Sequence, residues 1–330
     1  MIRFGIMGFG HHGDRRLMPG FQSASRSTVS AISRRSMEKA QATARRYAIP
    51  HAFDSKEALC RCPEVDAVLV TTPNNEHYGD VLLALSFGKP VLCEKPMAMN
   101  AQEAGHMVRA SQAARLPLGI AQVFRFEVGA RRLRERVAAG DIGRPVFARA
   151  EFSYQGRNHP RAWLLDRSIS GGGPISDVGV HCLDALRFIL DDEIVQVSAM
   201  GRADADSGSV EAAAVVNLGF ARGTLGVLQV SLRADYRTPL EIVGETGVLR
   251  ADNALTVDAP VRIELWQSGK LAATEEVDNS GAYAAQVDAF AALLEDGTPF
   301  PVPGEQGLIN QKVLDAAYAS LETGTTTELR

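Results

Sequence analysis

The sequence is poor in cysteine, with only Cys60, Cys62, Cys93 and Cys182 among its 330 residues. Cys60 and Cys62 are too close along the chain for a comfortable disulfide, and no set of histidines and cysteines has the spacing of a zinc site. A disulfide framework is therefore excluded. We expect four reduced thiols, a cytoplasmic location and no bound metal.

The sequence also lacks an excess of charge of either sign. Its 35 basic and 39 acidic residues give a net charge of −4, with no charged tail. No apolar run has the length of a membrane span, and the opening residues MIRFGIMGFG lack the plan of a signal peptide. We therefore expect neither nucleic acid nor a membrane as a partner. A length of 330 residues predicts two domains.

Glycine occurs where a dinucleotide would require it. The apolar stretch IRFGIM predicts a strand over residues 2–7, and Gly8, Gly10 and Gly13 follow it in the pattern G-x-G-x-x-G. The first glycine permits a tight turn, the second lets the backbone approach a pyrophosphate, and the third allows a helix to pack on the strand. A glycine loop that binds nothing is the alternative interpretation of this motif alone.

A second strand, TVSAIS, ends at Ser33 and is followed by Arg34 and Arg35. Sites for NAD place an acidic residue here to bind the ribose 2′-hydroxyl, but the first carboxylate in this chain is Glu38. Arginine binds phosphate through its planar guanidinium, so the segment favours the 2′-phosphate of NADP. A solvated basic helix start is the alternative, and a preference for NAD remains open.

The next strands also end in polar residues. VDAVLVTTP predicts a buried strand over residues 65–73, and KPVLCEKP predicts another that ends at Glu94 and Lys95. Alternating strands and helices indicate a parallel sheet, which binds ligands at the carboxyl ends of its strands. Lys95 is a candidate for polarising a substrate oxygen, with a solvated lysine as the alternative. The predicted cofactor-binding residues at this edge are Gly8, Phe9, Gly10, His11, His12, Ser33, Arg34, Arg35, Thr71, Thr72, Pro73, Asn74, His77, Glu94 and Lys95.

The stretch GGGPISDVGVHCLD, residues 171–184, combines a helix start with acid–base groups. Pro174 suits the first helical position, and a helix from there places Asp177 and His181 on one face, which Asp184 continues. A carboxylate one turn before a histidine can fix its tautomer and favour its protonated form, as a general acid–base requires. An amphipathic helix with a solvated polar face is an equally good interpretation of this segment alone.

Four motifs occur together in one order: the glycine motif near residue 8, TTPNxxH at 71–77, CEKP at 93–96 and GGGxxxDxGxHxxD at 171–184. With this order and spacing, the chain resembles the glucose–fructose oxidoreductase, inositol dehydrogenase and MocA (Gfo/Idh/MocA) family over essentially its whole length. Within the family it is most similar to NADP-using sugar reductases, such as the 1,5-anhydrofructose reductases.

The resemblance implies an α/β fold in two domains. Residues 1–122 would form a Rossmann domain with a doubly wound parallel sheet. Residues 123–330 would form an α/β domain with a large, mostly antiparallel open sheet, used for substrate binding and oligomerisation. The resemblance also implies that Lys95 and His181 are the catalytic pair, with Asp177 beside them.

Two positions bear on how closely the chain follows the family. The family usually has an aliphatic residue against the nicotinamide where this chain has His12. A histidine there would either bond to the cofactor or weaken its binding. Arg125 lies at the crossing into the second domain, and the resemblance makes it a substrate or cofactor contact. A structural arginine is equally expected.

The second half of the chain predicts a sheet that needs a cover. Local turns join most of its strands, which are therefore expected to pair antiparallel. The stretch LGVLQVSL is apolar on both faces, so helices would cover one face of the sheet and another element the other. A second subunit is the simplest cover, which predicts a homodimer or homotetramer through the C-terminal sheet. The predicted strands are 194–201, 210–219, 223–232, 239–243 and 261–266.

Together, the residues and the resemblance predict an NADP(H)-dependent oxidoreductase that transfers a hydride between nicotinamide C4 and a sugar, polyol or related hydroxy or keto compound. His181 would act as general acid or base, Lys95 would stabilise charge on the substrate oxygen, and Asp177 would orient His181 or bind a hydroxyl. The alternatives are an NAD-preferring polyol dehydrogenase, a nicotinamide-dependent glycosidase of the same family and a non-catalytic dinucleotide sensor. The candidate substrate-binding residues are Lys95, Asp177, His181, Trp163, Tyr154 and Tyr283, the last three with core positions as their alternative.

Overall fold

The computed structural model describes residues 1–156 and 160–329. The chain divides into two compact units, one formed by Met1–Val123 with Tyr283–Gln311 and the other by Phe124–Ala282 with Lys312–Arg330. The sequence predicts a single boundary after residue 122. In the structure the later segment Tyr283–Gln311 also belongs to the first unit, because it packs on the first sheet.

The first unit is built on six parallel strands in the order β3-β2-β1-β4-β5-β6. The order reverses between β1 and β4, which is where doubly wound sheets bind their ligands. The predicted doubly wound sheet is therefore confirmed. The strands are β1 Ile2–Met7, β2 Ser27–Ser33, β3 His51–Phe53, β4 Ala67–Val70, β5 Val91–Glu94 and β6 Leu118–Ala121.

Helices cover both faces of this sheet because its strands are apolar on both sides, as β4 and β5 show by being buried throughout. Burying each large aliphatic side chain stabilises the unit by about 1.5–3 kcal/mol. From the returning segment, Phe290 packs against Phe4 with ring centroids 6.2 Å apart, and Val302 accepts a hydrogen bond from the Ile120 N–H at 2.9 Å. The helices of this part are α1 Met18–Ser23, α2 Met37–Tyr47, α3 Lys56–Arg61, α4 Asn74–Ser86, α5 Ala101–Ala114, α9 Ala282–Asp296 and α10 Gly304–Thr323, of which α10 continues beyond Gln311 into the second unit.

The second unit is built on a nine-stranded sheet in the order β14-β13-β12-β11-β7-β10-β9-β8-β15. Only β7 and β10 pair in parallel, so the predicted mostly antiparallel sheet is confirmed. The sequence did not predict β12 or β14, since β12 is short and β14 is largely exposed. The strands are β7 Pro145–Ser153, β8 Ile194–Arg202, β9 Ala213–Phe220, β10 Leu225–Ser231, β11 Leu240–Gly244, β12 Val248–Ala251, β13 Pro260–Gln267, β14 Lys270–Asp278 and β15 Thr327–Glu328.

The two faces of this sheet differ. Gly226, Leu228 and Val230 of β10 are buried, while the alternate position Leu225 is 56% exposed. Leu225 lies opposite Phe147, and Val215 lies opposite both Met200 and Gln229, so these side chains share the outer face. We call Phe147, Met200, Val215 and Leu225 the outer patch; each is at least 39% exposed.

The remaining helices of the second unit are α6 Val128–Ala138, α7 Arg167–Ser170 and α8 Val180–Leu190. Helix α8 is buried along nearly its whole length and packs on β7, which places the GGG motif, Asp177 and His181 against the centre of the sheet. Across the described residues, none of the helices combines the length and apolarity that crossing a membrane requires.

Candidate active site

The glycine motif forms a tight turn after β1. Gly8 has a φ of +84°, and a Cβ on Gly8 would lie 2.4 Å from Thr72 Cγ2. A Cβ on Gly13 would lie 2.9 Å from the ring of Phe9, which is why the third glycine is needed for packing. At Gly10 the nearest atom within the described chain would be the Gly8 carbonyl, at 3.8 Å. The space beside Gly10 is open, as the approach of a pyrophosphate requires, so the turn fits a dinucleotide.

The carboxyl end of β2 carries the segment predicted to select NADP. Ser33 is buried, and its hydroxyl accepts a hydrogen bond from the Gly8 N–H at 3.3 Å, so Ser33 supports the glycine turn. Arg34 is half-buried and donates from Nη1 to Thr43 Oγ1 at 2.7 Å. Arg35 is exposed. Two guanidiniums therefore follow the buried serine that contacts the turn.

The residues after β4 connect two neighbouring turns. The Thr71 hydroxyl donates to the Gly8 carbonyl at 3.1 Å. His77 is buried, with its ring nitrogens 2.9 Å from the carbonyls of Thr72 and Pro96. Burial lowers the pKa of His77, so the neutral ring donates to one carbonyl at a time. His77 thus contacts the turns after β4 and β5. The other predicted residues of this turn are Pro73, which precedes α4, and Asn74, which begins it and is buried.

Strand β5 ends at Glu94, immediately before the candidate catalytic lysine. His12 Nε2 lies 2.8 Å from Glu94 Oε1, and the Lys95 backbone N–H donates to Glu94 Oε2 at 3.3 Å. Burial raises the pKa of Glu94, but the neighbouring His12 and Lys95 outweigh it and hold the pKa below its ordinary value. The ring of Tyr283 packs edge-on against His12, with centroids 5.8 Å apart. His12 is therefore partnered by a carboxylate, which the sequence did not predict, while His11 beside it is exposed.

In the second unit, the GGG motif leads into a helix of two kinds. Residues Ile175–Gly179 are π-helical, and α8 continues from Val180. The predicted helix is present, but the turn that carries Asp177 is wider than the α-helix assumed from the sequence. π-Helical turns of this kind are frequent at functional sites. Asp177 and His181 are both buried, at 6% and 8% exposure, so the solvated-face alternative is wrong.

Among the described residues of the second unit, Tyr154 and Arg161 approach the Asp177 carboxylate. The Tyr154 phenol donates to Asp177 Oδ2 at 2.6 Å, and Arg161 Nη2 lies 3.8 Å from Oδ1. Burial, followed by the charge of Asp177, raises the pKa of Tyr154, so the phenol stays protonated and donates. Tyr154 is a predicted site residue. Arg161 was missed, because nothing in its sequence context distinguishes it from a solvated arginine.

Aromatic rings enclose the His181 imidazole. Phe124 meets it edge-on, with centroids 4.6 Å apart and an interplanar angle of 88°, and Phe152 stacks beside it at 6.2 Å. Tyr236, which is 51% exposed, packs edge-on against Phe152 at 6.2 Å. The imidazole is thus fixed in orientation and largely removed from water, which strengthens its interactions with nearby charges.

A carboxylate from a distant segment supports the start of this helix. Glu211 accepts hydrogen bonds from the backbone N–H groups of Gly173 and Ile175 and from the Tyr318 hydroxyl, each at 3.0 Å. A Cβ on Gly172 would lie 1.7 Å from the Tyr318 hydroxyl oxygen. The glycines of the motif are therefore required by close packing as well as by the turn.

The remaining predicted site residues, Arg125, Trp163 and Tyr283, have partners other than Asp177 and His181. Arg125 forms a bidentate pair with Asp184, at 2.9 and 2.7 Å, and both side chains are buried. This pair supports the structural interpretation of Arg125. Trp163 is half-buried in a short 3-10 helix, with the Arg161 guanidinium carbon 5.7 Å from its ring centroid. Tyr283 belongs to the first unit, beside His12.

The glycine turn at the carboxyl edge of a doubly wound sheet defines the class: a Rossmann-type dinucleotide-binding protein. A family model described as an oxidoreductase family with an NAD-binding Rossmann fold matches residues 2–121, and one described as a GFO/IDH/MocA C-terminal domain matches residues 130–250. The chain therefore belongs to the Gfo/Idh/MocA family of NAD(P)-binding oxidoreductases, as its motifs predict.

Relatives in this family include sugar oxidoreductases. The chain is 30% identical to a 1,5-anhydro-D-fructose reductase of Ensifer adhaerens, over 100% of this chain and 99% of that protein. It is also 30% identical to a D-xylose 1-dehydrogenase (NADP(+)) of Haloferax volcanii, over 99% and 100%. Among solved structures, an aldose-aldose oxidoreductase from Caulobacter crescentus, in complex with glycerol, superposes with a TM-score of 0.92 at 26% identity, covering 99% of both chains.

Proposed function

We propose that the protein is an NADP(H)-dependent oxidoreductase that interconverts an alcohol and a carbonyl group on a sugar, a polyol or a related small hydroxy or keto compound. The observation that carries this proposal is the position of Lys95, directly after Glu94 at the carboxyl end of β5 and in the same unit as the open glycine turn. The names of the relatives support the substrate class.

When bound, NADP(H) supplies the hydride chemistry at nicotinamide C4. In the reducing direction, the substrate carbonyl carbon gains a hydride and its oxygen gains a proton from His181, giving the alcohol. Lys95 stabilises the negative charge that develops on the oxygen. In the oxidising direction, His181 takes the hydroxyl proton. The rings of Phe124 and Phe152 fix the imidazole for this transfer.

Asp177 acts beside His181 as a charged ligand for a substrate hydroxyl or as the group that orients the imidazole. Tyr154 and Arg161 hold the carboxylate in place and stabilise its charge. Because the Tyr154 phenol already donates to Asp177, we assign Tyr154 to positioning the carboxylate. Trp163, packed near Arg161, and Tyr283, packed against His12, remain aromatic candidates for a substrate contact.

The preference for NADP rests on Arg34 and Arg35. Both arginines follow the end of β2. The Arg34 guanidinium donates one hydrogen bond, from Nη1, to Thr43. A planar guanidinium with a fixed orientation suits a phosphate, which it binds through charge-assisted hydrogen bonds.

We further propose a homodimer or homotetramer in which a second copy covers the outer patch. Four large apolar side chains on one sheet face are unusual for surface that stays in water. Light scattering at micromolar concentration should give a dimer or tetramer, and Leu225→Lys should shift it toward the monomer, whereas Met37→Lys, at an exposed position of the first unit, should not. A monomeric wild type would contradict this assembly. The four buried free cysteines support a reducing, cytoplasmic location.

The function is tested with a panel of sugars and polyols, each with both cofactors, followed by nicotinamide absorbance. On the best substrate, Lys95→Ala and His181→Ala should each lower kcat and kcat/KM together by about 10²-fold or more, as expected for groups used in the transition state. The matched control is Lys39→Ala, at an exposed lysine of α2. Unchanged kcat with a raised KM in His181→Ala would make His181 a substrate ligand. Glycoside cleavage without net absorbance change would favour the glycosidase alternative.

A further inference from the structure

Three chemically different donors meet in the first unit, among residues with no part in the site described above. His51, Cys62 and Glu64 bring an imidazole nitrogen, a thiol sulfur and a carboxylate oxygen within 4.8 Å of one another. His51 begins β3, and Cys62 and Glu64 lie in the segment that precedes β4. The glycine turn and Lys95, in contrast, follow the carboxyl ends of their strands, so this cluster is separate from the dinucleotide edge.

The backbone holds the three residues in place. His51 pairs with Ala31 of β2, and the neighbouring Ser30 donates from its hydroxyl to the Glu64 carbonyl at 2.6 Å. Cys62 is the C-terminal cap of α3. Adjacent residues of one central strand therefore position His51 and Glu64, and the end of a helix positions Cys62.

The side chains converge on one carboxylate oxygen. His51 Nε2 contacts Glu64 Oε2, and Cys62 Sγ lies 3.9 Å from the same oxygen. Cys62 is buried, His51 is half-buried and Glu64 is exposed, so water can reach the cluster from one side. Two cations contact the backbone of this segment: Lys89 donates to the Cys62 carbonyl at 3.3 Å, and Arg3 donates to the Pro63 carbonyl at 3.2 Å. The charge of Arg3 is balanced by a bidentate pair with Asp66.

We propose that His51, Cys62 and Glu64 bind one Zn²⁺ ion, with water as the fourth ligand. Imidazole, thiolate and carboxylate are the three side-chain ligands that zinc takes, at bond lengths of about 2.0–2.3 Å. Such bonds place tetrahedral ligand atoms about 3.5 Å apart, so small side-chain rotations complete the site. Thiolate and imidazole ligands disfavour Mg²⁺ and Ca²⁺, which prefer oxygen.

Zinc would connect the edge strand β3 to the segment before β4. Because the ion binds the folded protein, zinc at a hundred times its Kd should raise Tm by about 4 °C. Reaction kinetics are not involved, so the test does not depend on the proposed function.

The experiment uses the full-length, tag-free protein after treatment with a chelator, with Co²⁺ as the spectroscopic probe. We expect one equivalent of Co²⁺ to give a thiolate-to-cobalt charge-transfer band that Zn²⁺ removes. Cys62→Ser should abolish the band, and His51→Gln should weaken binding by at least about tenfold. Cys60→Ser, which changes a buried thiol two positions earlier and outside the cluster, should retain the band.

Failure of the wild type to give the band would overturn the proposal, as would a band that survives in Cys62→Ser. If Cys62→Ser does not fold, the proposal is tested with variants of the half-buried His51 and the exposed Glu64. Unchanged Co²⁺ affinity in both His51→Gln and Glu64→Gln would then assign the metal to another site.

Discussion

Replacing Glu211 by alanine removes a carboxylate that holds the start of the helix carrying Asp177 and His181. Glu211 is 8% exposed and accepts from the Gly173 N–H, the Ile175 N–H and the Tyr318 hydroxyl, each at 3.0 Å. In Glu211→Ala these buried donors lose their acceptor.

The magnitude follows from the three donors. A buried donor left without a partner costs about 1–3 kcal/mol, and a negative charge at a helix N-terminus adds about 0.3–1 kcal/mol. Water that enters the site and local relaxation of the chain offset part of this cost. We therefore expect Glu211→Ala to lower the free energy of unfolding by about 3–5 kcal/mol. Glu211→Gln keeps the side-chain volume but turns an amide NH₂ toward one of the donors. The free energy of unfolding should therefore fall by about 1–3 kcal/mol. Tyr318→Phe loses one hydrogen bond, or about 1 kcal/mol.

Urea unfolding followed by tryptophan fluorescence measures this directly, because both tryptophans, Trp163 and Trp266, lie in the second unit. The matched control is Glu276→Ala, at an exposed glutamate of β14, which should stay within about 0.5 kcal/mol of the wild type. A loss below about 1 kcal/mol in Glu211→Ala would refute the anchoring role. Equal losses in the alanine and glutamine variants would show that the carboxylate itself, and not the volume of the side chain, carries the effect, since only the alanine variant loses volume.

Three further predictions concern the cofactor turn and a buried acid. Arg34→Ala should weaken NADPH binding by about 1–3 kcal/mol and leave NADH binding nearly unchanged, with the exposed Arg45→Ala as control; an equal loss for both cofactors in fluorescence titrations would remove the NADP assignment. Gly8→Ala should weaken both cofactors alike and destabilise the fold by about 1–3 kcal/mol, since its Cβ would lie 2.4 Å from Thr72 at a φ of +84°; full binding by calorimetry would contradict this. Burial raises the pKa of Glu127, whose carboxylate oxygens have no hydrogen-bond partner among the described residues, so the fold favours its protonated form and loses stability as the pH rises above the ordinary glutamate range. Glu127→Gln should therefore stabilise the protein more at about pH 8 than at about pH 5, and equal urea midpoint shifts at the two pH values would be incompatible with a buried acid of raised pKa.

The nucleotide half of the fold is predictable from sequence because its signals are local. The glycine at position 8 must adopt a positive φ, and the strands on either side are short apolar runs with polar ends. Pairing order then follows from the βα alternation. The return of Tyr283–Gln311 to this unit could not be predicted, because the contact of Phe290 with Phe4 joins positions that are far apart in the chain.

The part of the chain that carries Asp177 and His181 was predictable only in part. Periodicity places Asp177 and His181 on one helix face, but it cannot show that the turn carrying Asp177 is π-helical. It also cannot show that Tyr154 donates to Asp177, since that contact depends on where β7 ends relative to the helix. The pairing of Arg125 with Asp184 could not be predicted for the same reason, because the two residues are 59 positions apart in the chain and leave no periodic signal.

The GGG motif shows why sequence and structure explain the same residues differently. In the sequence, three glycines before a proline indicate a turn that begins a helix. In the structure, a Cβ on Gly172 would lie 1.7 Å from the Tyr318 hydroxyl oxygen, and one on Gly173 would lie 2.3 Å from the Glu211 carbonyl oxygen. The absence of side chains lets two distant segments approach the helix start and place an acceptor on its free N–H groups. The same contacts fix the position of the turn that presents Asp177. Gly172 and Gly173 thus support the turn that presents Asp177, and a substitution there should lower the activity that we propose for Asp177 and His181, although neither glycine carries a reactive group.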